Sequence, residues 1–427
     1  MNQAASTSGG LNSARQAITA AGIGNVLEYY DFGIYGFLAA TLGRKFFPGT
    51  DPTASLLATF AAFGIAFLAR PLGAIVLGRR GDVRGRKSTL VLTIVLMAIG
   101  TAGIGLIPDH AAIGVAAPIL LVLCRLLQGL SAGGEWGNAT AFIVEWSPEG
   151  RRGFFGSFSQ ASVVGGLLLS SAVAALLNTA FTADQIDAWA WRIPFLLGIV
   201  LLPVGLWLRR GIGESPRFEA ERHGQSSGLL DLGSPIGLMA RAFGFTILWT
   251  VSYYIMLTYL PTFTQRYAGL SATEALWSNT IGLVVLVLVI PLMGALSDRV
   301  GRKPLLLFCC TAFVLLSYPG FRLMLAAPGI WTILPIQIAF DLVIATFAGT
   351  GPAAIVELFP TRSRTTLMSI GYSLAVAIFG GFAPFIATWL ISTTGTPIAP
   401  TFYLIAAGLV SALTILPFRE TAFERLR

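Results

Sequence analysis

The sequence predicts an all-α, polytopic membrane protein with twelve transmembrane helices in two pseudo-symmetric six-helix bundles. Three observations carry that prediction. Apolar residues make up 55% of the 427-residue chain and charged residues only 11%, against about 25% charge in a soluble domain. The apolar residues gather in long runs, and twelve spans of roughly 21 residues would use about 250 residues, leaving short loops and two tails. Finally, three polar landmarks of the first half recur in the same order in the second. Forty-eight Gly and 22 Pro fit membrane helices, whose neighbours satisfy freed backbone groups. A transmembrane β-barrel would lack such runs.

Residues 1–19 are polar and Ser-rich and read as a cytoplasmic tail; no small-residue cleavage site follows, so no cleaved signal peptide is expected. The spans 20–41, 54–78, 88–107, 114–141, 154–179 and 190–209 make a first bundle over 20–209. A charged, Gly- and Ser-rich stretch, 210–235, reads as a cytoplasmic linker. The spans 236–263, 274–296, 304–325, 330–356, 365–392 and 398–417 make a second bundle over 236–417, and 418–427 is a second cytoplasmic tail. With this threading about 21 of the 28 Lys and Arg fall on one side and about four on the other, so both termini should be cytoplasmic. Arg70, Arg125 and Arg322 are left at membrane depth. The short basic clusters are topology signals, and nucleic acid is not an expected partner.

The landmarks support the doubling. Gly78-x-x-x-Asp82-x-x-Gly85-Arg86-Lys87 recurs as Gly294-x-x-x-Asp298-x-x-Gly301-Arg302-Lys303. Glu145-x-x-Pro148 with Arg151 and Arg152 recurs as Glu357-x-x-Pro360 with Arg362 and Arg364. Glu214-Ser215-Pro216-Arg217-Phe218-Glu219 has a looser echo in Glu420-Thr421-Ala422-Phe423-Glu424. Two parallel six-helix repeats are a carrier architecture.

The doubled Gly-x-x-x-Asp loop resembles the signature of the major facilitator superfamily. More narrowly, Gly24-Asn25-Val26-Leu27-Glu28-Tyr29-Tyr30-Asp31-Phe32, Ala69-Arg70-Pro71-Leu72-Gly73-Ala74, Arg125-Leu126-Leu127-Gln128-Gly129 through Glu135, and Trp191-Arg192-Ile193-Pro194-Phe195 resemble the metabolite:H+ symporter branch. That branch carries citrate, tricarballylate, 2-oxoglutarate, shikimate, and proline or betaine. Val83 departs from the pattern, which usually has a base there, so the first loop is expected to latch more weakly than the second, which keeps Arg299. The resemblance implies the major facilitator fold, alternating access and a bacterial inner membrane.

Ionisable side chains at membrane depth mark partners or aqueous paths. Asn25, Glu28, Asp31 and Tyr35 recur at helical spacing along one side of the first span, which is expected to face the central cavity. Glu28, Asp31 and Glu135 are the proton-coupling candidates. Arg125, Gln128, Ala132 and Glu135 share a stripe of the fourth span. Arg125 is the candidate anion anchor, because a guanidinium offers two planar donors to a carboxylate and keeps its charge; the alternative is an ion pair with Glu28 or Asp31. Arg70 could instead snorkel or brace packing. Gln160 and Ser162, and Tyr253, Tyr254 and Tyr259, could supply uncharged hydrogen bonds. Asp341 is either a second-half ligand or an ion pair with Arg322. The substrate set is thus Asn25, Tyr35, Arg125, Gln128, Gln160, Tyr253 and Asp341.

Gly129, Gly133, Gly134 and Gly137 are expected to permit close helix crossing. A conformational latch is expected from Gly78, Asp82, Gly85, Arg86, Glu145, Arg152, Asp298, Gly301, Arg302, Glu357 and Arg364, with the aspartates accepting bonds at the start of an opposing helix.

Two histidines outside the spans, no Walker loop and no paired metal ligands argue against an enzyme. No metal or cofactor is expected, and Cys124, Cys309 and Cys310 read as packing residues. The expected activity is proton-coupled uptake of an organic carboxylate, a di- or tricarboxylate such as citrate, by a monomer. That choice follows from the membrane-depth arginines and from Ala377-Ile378-Phe379-Gly380-Gly381, which resembles the citrate and tricarballylate carriers. Alternatives are a zwitterion (proline or betaine), shikimate or an aromatic acid, a proton-coupled drug antiporter, and a channel. The osmoprotectant carriers usually bear a long C-terminal coiled coil, so osmosensing is not expected.

Overall fold

A computed structural model describes residues 22–84, 86–133, 135–198, 203, 235–359, 364–424 and 426. No strand occurs among them. Helix α1 covers 22–37 and, past a turn at Leu38, Ala39–Phe46. Then come α2 (Pro52–Arg84), α3 (Arg86–Leu106), α4 in two pieces (Ala116–Ser131 and Glu135–Glu145), α5 (Arg152–Ala180) and α6, which follows a tight turn at Ala190–Arg192 and is described to residue 198. The second half has α7 (Pro235–Ser252, Tyr253–Tyr259 and Leu260–Tyr267), α8 (Ala272–Val300), α9 (Arg302–Ala326), α10 (Ile330–Glu357), α11 (Arg364–Ala375, Val376–Gly380 and Ala383–Thr394) and α12 (Pro400–Ile415). Seven are long and apolar enough to cross a membrane, and three shorter apolar helices, α1 and the described part of α6 complete the expected twelve. The expected linker and N-terminal tail, with Glu214–Glu219, lie outside the described residues, except Pro235.

Besides the turn at Leu38, three departures from uniform helix have local causes. The fourth span, expected as one helix, breaks after Ser131. There α4 crosses α2 so closely that a methyl on Gly129 would overlap the Ala66 carbonyl, and one on Gly133 the Arg70 carbonyl. Backbones can approach in this way only where Cβ is missing. The other two departures are widened π-type turns, Tyr253–Tyr259 in α7 and Val376–Gly380 in α11. Each precedes a proline, Pro261 and Pro384, which lacks an N–H and crowds the carbonyl four residues back. The carbonyl so freed by Pro261, that of Leu257, accepts from Asn279 Nδ2 at 3.2 Å, and the Phe379 carbonyl accepts from the Tyr403 hydroxyl at 2.8 Å.

The halves meet along α5 with α8 and α10, α2 with α11, and the second piece of α4 with α10 and α11. Buried aromatic rings fill the middle of these seams. Cys309 and Cys310 are buried and Cys124 half-buried, all three free thiols.

Candidate functional site

One cavity, about 20 Å³ and so roomy enough for a water molecule or two, lies between the halves. Its lining comes from α1 (Tyr29), α5 (Gln160, Val163), α7 (Trp249, Thr250, Tyr253, Tyr254) and α11 (Tyr372, Val376). Both π-type turns border it, since widening a helix re-aims side chains that a regular turn would bury in its own packing. The walls are aromatic, and four polar atoms, Gln160 Nε2, Thr250 Oγ1 and the hydroxyls of Tyr253 and Tyr254, are buried without a hydrogen-bond partner. Such groups cost free energy unless something pairs with them. Toward the signature loops, Trp136 of α4 stacks on Tyr372 at 3.7 Å and packs edge-on against Trp249 at 5.7 Å. On the opposite side, Phe63 and Phe67 of α2 meet Tyr254 at 5.9 and 5.2 Å. Aromatic rings thus stand at both ends of the cavity.

Beside it, inside the first half, lies a charged network. Asp31 of α1, 5% exposed, accepts from Thr101 Oγ1 of α3 at 2.5 Å. Gln128 Nε2 of α4 donates to Thr101 Oγ1 at 2.8 Å, and Arg125 Nη1 donates to Gln128 Oε1 at 2.8 Å. Arg125 Nη2 also donates to the Phe63 carbonyl at 3.3 Å. The Arg125 guanidinium, fully buried, lies 4.3 Å from the Tyr35 ring and 4.9 Å from that of Phe32. Arg70 also lies by the Phe32 ring, at 4.7 Å. Arg70 Nη2 lies 2.8 Å from Glu28 Oε1, a contact of opposite charges without hydrogen-bond alignment.

These positions amend several expectations. The stripe of Asn25, Glu28, Asp31 and Tyr35 faces the interior of the first half instead of the central cavity. Asn25 donates to the Ser159 carbonyl and the Ser162 hydroxyl of α5, Glu28 meets α2, and Tyr35 donates to the Thr59 carbonyl. With the halves closed, bulky rings occupy the centre, and of the described residues of α1 only Tyr29 reaches the cavity. Arg70 is buried and paired with Glu28, so it does not snorkel. Arg125 forms no direct ion pair with Glu28 and reaches Asp31 through Gln128 and Thr101; it does not line the cavity, and nor does Gln128. Asp341 does not pair with Arg322, which is exposed and donates to the Tyr318 hydroxyl at 3.3 Å. The side chain of Glu135 lies outside the described residues.

Gln160 and Tyr253, expected to hold substrate, do meet at the cavity, as does Tyr254. Sequence reading missed Tyr29, Trp249, Thr250, Tyr372 and the bridging Thr101. Tyr29 stands between the acids already singled out and was legible there. A lone Thr or Trp in an apolar span carries no comparable signal.

The second copy of the loop signature forms a compact cluster. Asp298 accepts from the backbone N–H groups of Gly153 and Phe154, at 2.8 and 2.9 Å, at the start of α5 in the other half. Arg302 Nη1 donates to Asp298 Oδ1 at 2.8 Å, and Glu357 lies 3.3 Å from Arg302 and 3.0 Å from Arg152 of α5. Gly301 has φ +103°, and a side chain there would strike Glu420, which accepts from the backbone N–H groups of Arg302 and Lys303. Glu145 ends α4. Gly85, the surroundings of Gly78, and the side chains of Asp82, Arg86 and Arg364 lie outside the described residues, so the first copy is not compared.

Two family models match the chain, Sugar (and other) transporter over residues 17–228 and Major Facilitator Superfamily over 266–425. The proline/betaine transporter of Salmonella typhimurium is 35% identical over 97% of this chain and 85% of its own length. The proline/betaine transporter of Escherichia coli K12 is 34% identical over the same shares. A glycine betaine/proline/ectoine/pipecolic acid transporter of Dickeya dadantii is 35% identical, again over 97% and 85%. Among solved structures, the proton:xylose symporter XylE bound to 6-bromo-6-deoxy-D-glucose superposes with a TM-score of 0.78, at 20% identity over 97% of this chain and 98% of that one. The helices and their arrangement, together with relatives named as transporters, make this a multi-pass membrane transporter, not an enzyme. The chain belongs to the major facilitator superfamily. The relatives are named for proline and betaine, the alternative to the di- or tricarboxylate expected from the sequence.

Proposed function

We propose that this carrier takes up a small zwitterion of the proline or betaine kind together with protons, by alternating access, with both termini cytoplasmic. The observation that carries the reading is the lining of the cavity, which at about 20 Å³ has room only for water here and must widen to admit a substrate. It has aromatic faces, which attract a quaternary or secondary ammonium, and four unpartnered polar atoms that suit one carboxylate. Among the described residues no Lys or Arg lines it. A citrate with three negative charges would be buried there without cations, at a cost such a site cannot offset.

Asp31 is the coupling carboxyl in this reading. The Thr101 hydroxyl sits within reach of Asp31, Gln128 and the Met97 carbonyl, at 2.5, 2.8 and 3.0 Å. With Asp31 ionised, Thr101 donates to it. With Asp31 protonated, the acid donates to Thr101, whose own proton turns to Met97. A hydroxyl has one proton and two acceptor positions, so every partner is satisfied in both states. Protonation leaves the charge of Arg125 uncompensated, and an entering carboxylate restores the balance. That reciprocity makes proton and substrate favour each other. The Asp298, Arg152, Arg302 and Glu357 cluster holds the halves together on the signature side and must break for that side to open.

Purified protein in liposomes, given radiolabelled glycine betaine, proline or citrate, tests the proposal. An inward proton gradient should concentrate a zwitterion and leave citrate outside. Accumulation of citrate, or of a zwitterion under a sodium gradient alone, would sink it.

A further inference from the structure

We infer that Asp341 is a second proton-carrying carboxyl, loaded through the seam between α5 and α8 on the side opposite the signature loops. The inference rests on the proton-coupled reading above, but its residues are separate from Asp31 and the Thr101 relay. Asp341 lies about 16 Å along α10 from Ile330 at 1.5 Å per residue. It is fully buried, and neither carboxylate oxygen has a hydrogen-bond partner.

One turn away on the same face of α10 stands Gln337, and both residues meet α8 at Gly282. A methyl at Gly282 would lie 3.3 Å from Gln337 Nε2 and would press on Asp341 Oδ2, so the missing side chain leaves the carboxyl its room. From Gln337 a polar chain runs outward to the other half. Gln337 Nε2 donates to Asn279 Oδ1 at 3.0 Å, and Asn279 Nδ2 donates to Ser171 Oγ of α5 at 3.2 Å. Ser278 Oγ donates to Gln337 Oε1 at 2.8 Å, and the Ser171 and Thr280 hydroxyls lie 2.9 Å apart.

None of these amides and hydroxyls can retain a proton, so the carboxyl at the inner end is the storage group. Among the described residues the titratable group near it is Tyr253 of α7, which in turn lies near Cys309 of α9. From the described residues of α8 and α5 come the uncharged groups just named, and no described cation lies against Asp341. A carboxyl buried with neither donor nor cation keeps its proton while the halves are closed. Opening the seam breaks the Asn279–Ser171 bond and lets water reach Gln337, then Asp341, where a proton passes from water to a carboxylate oxygen. On the other side Tyr253 lines the cavity with a free hydroxyl, so opening that cavity to water gives the proton its way out.

Two measurements test this. In liposomes carrying the wild type, reversal potentials with glycine betaine should give two protons per substrate, and Asp341→Asn should halve that ratio to one. An unchanged ratio overturns the proposal. The second measurement needs neither transport nor a variant. Purified wild-type protein is treated with dicyclohexylcarbodiimide, which modifies protonated carboxyls, and the Asp341 peptide is followed by mass spectrometry. The adduct should form at pH 5.5 and fall several-fold by pH 8.5. Equal yield at every pH shows a permanently neutral structural acid, and no adduct at any pH shows a carboxyl that never takes up a proton within reach; either result overturns the proposal. If glycine betaine is not transported, the zwitterion reading fails, and the labelling result still judges Asp341.

Discussion

Thr101 donates to Asp31 across 2.5 Å while receiving a hydrogen bond from Gln128, which in turn is held by Arg125. A carboxylate and a guanidinium on different helices are thereby linked through two uncharged side chains. A direct ion pair would hold both charges tightly, whereas this spacing lets the acid gain and lose a proton without rearranging the arginine.

Asp31→Asn keeps the shape and removes the proton site. Gradient-driven accumulation should fall by about 5- to 150-fold, the range of ordinary coupling free energies, while exchange of internal for external betaine persists. Retained accumulation under a proton gradient would place the coupling acid elsewhere.

Thr101→Val removes the donor that favours ionised Asp31. Charge-assisted hydrogen bonds contribute roughly 1.5–3 kcal/mol, so the alkaline limb of the uptake profile should move up by about one to two pH units. Thr101→Ser should restore it. A profile unmoved in Thr101→Val would show that the hydroxyl is only packing.

Arg125→Lys should lower uptake by more than about tenfold. A single ammonium cannot serve both Gln128 and the Phe63 carbonyl while lying between the rings of Phe32 and Tyr35, and an unmet buried partner costs about 1–3 kcal/mol. Uptake close to wild type would reduce Arg125 to a charge without geometry.

Replacing Trp249 by Leu keeps the volume roughly apolar and removes a π face. Betaine affinity should weaken by about 0.5–2 kcal/mol, as read by a thermal-shift titration. Equal binding in wild type and variant would mean that the aromatic wall only fills space.

Asp298→Asn should loosen the signature side. The amide cannot accept from both Gly153 and Phe154 and still pair with Arg302, so closure should lose about 1–2 kcal/mol. Labelling of a cysteine placed on that side with a membrane-impermeant reagent should speed up, with betaine binding preserved. Unaltered labelling with normal uptake would leave the loop as a topology signal.

How much of this was legible in the chain differs between fold and site. Twelve apolar runs and the repeat of Gly78 to Lys87 as Gly294 to Lys303 implied the helices and their doubling, because a bilayer demands long apolar helices and duplication keeps sequence order. Asp298 at an opposing helix start was legible too, since a carboxylate suits the exposed N–H groups there. The partners of buried polar residues were not. Helical spacing put Asn25, Glu28, Asp31 and Tyr35 on one side of α1, yet their neighbours come from α5, α2 and α3, and only tertiary packing chose Arg70 for Glu28 and Thr101 for Asp31. Packing likewise decided the cavity. The prolines at 261 and 384 were visible as letters, but the widened turns before them set which aromatic faces meet between the halves, and that depends on how two bundles close on each other.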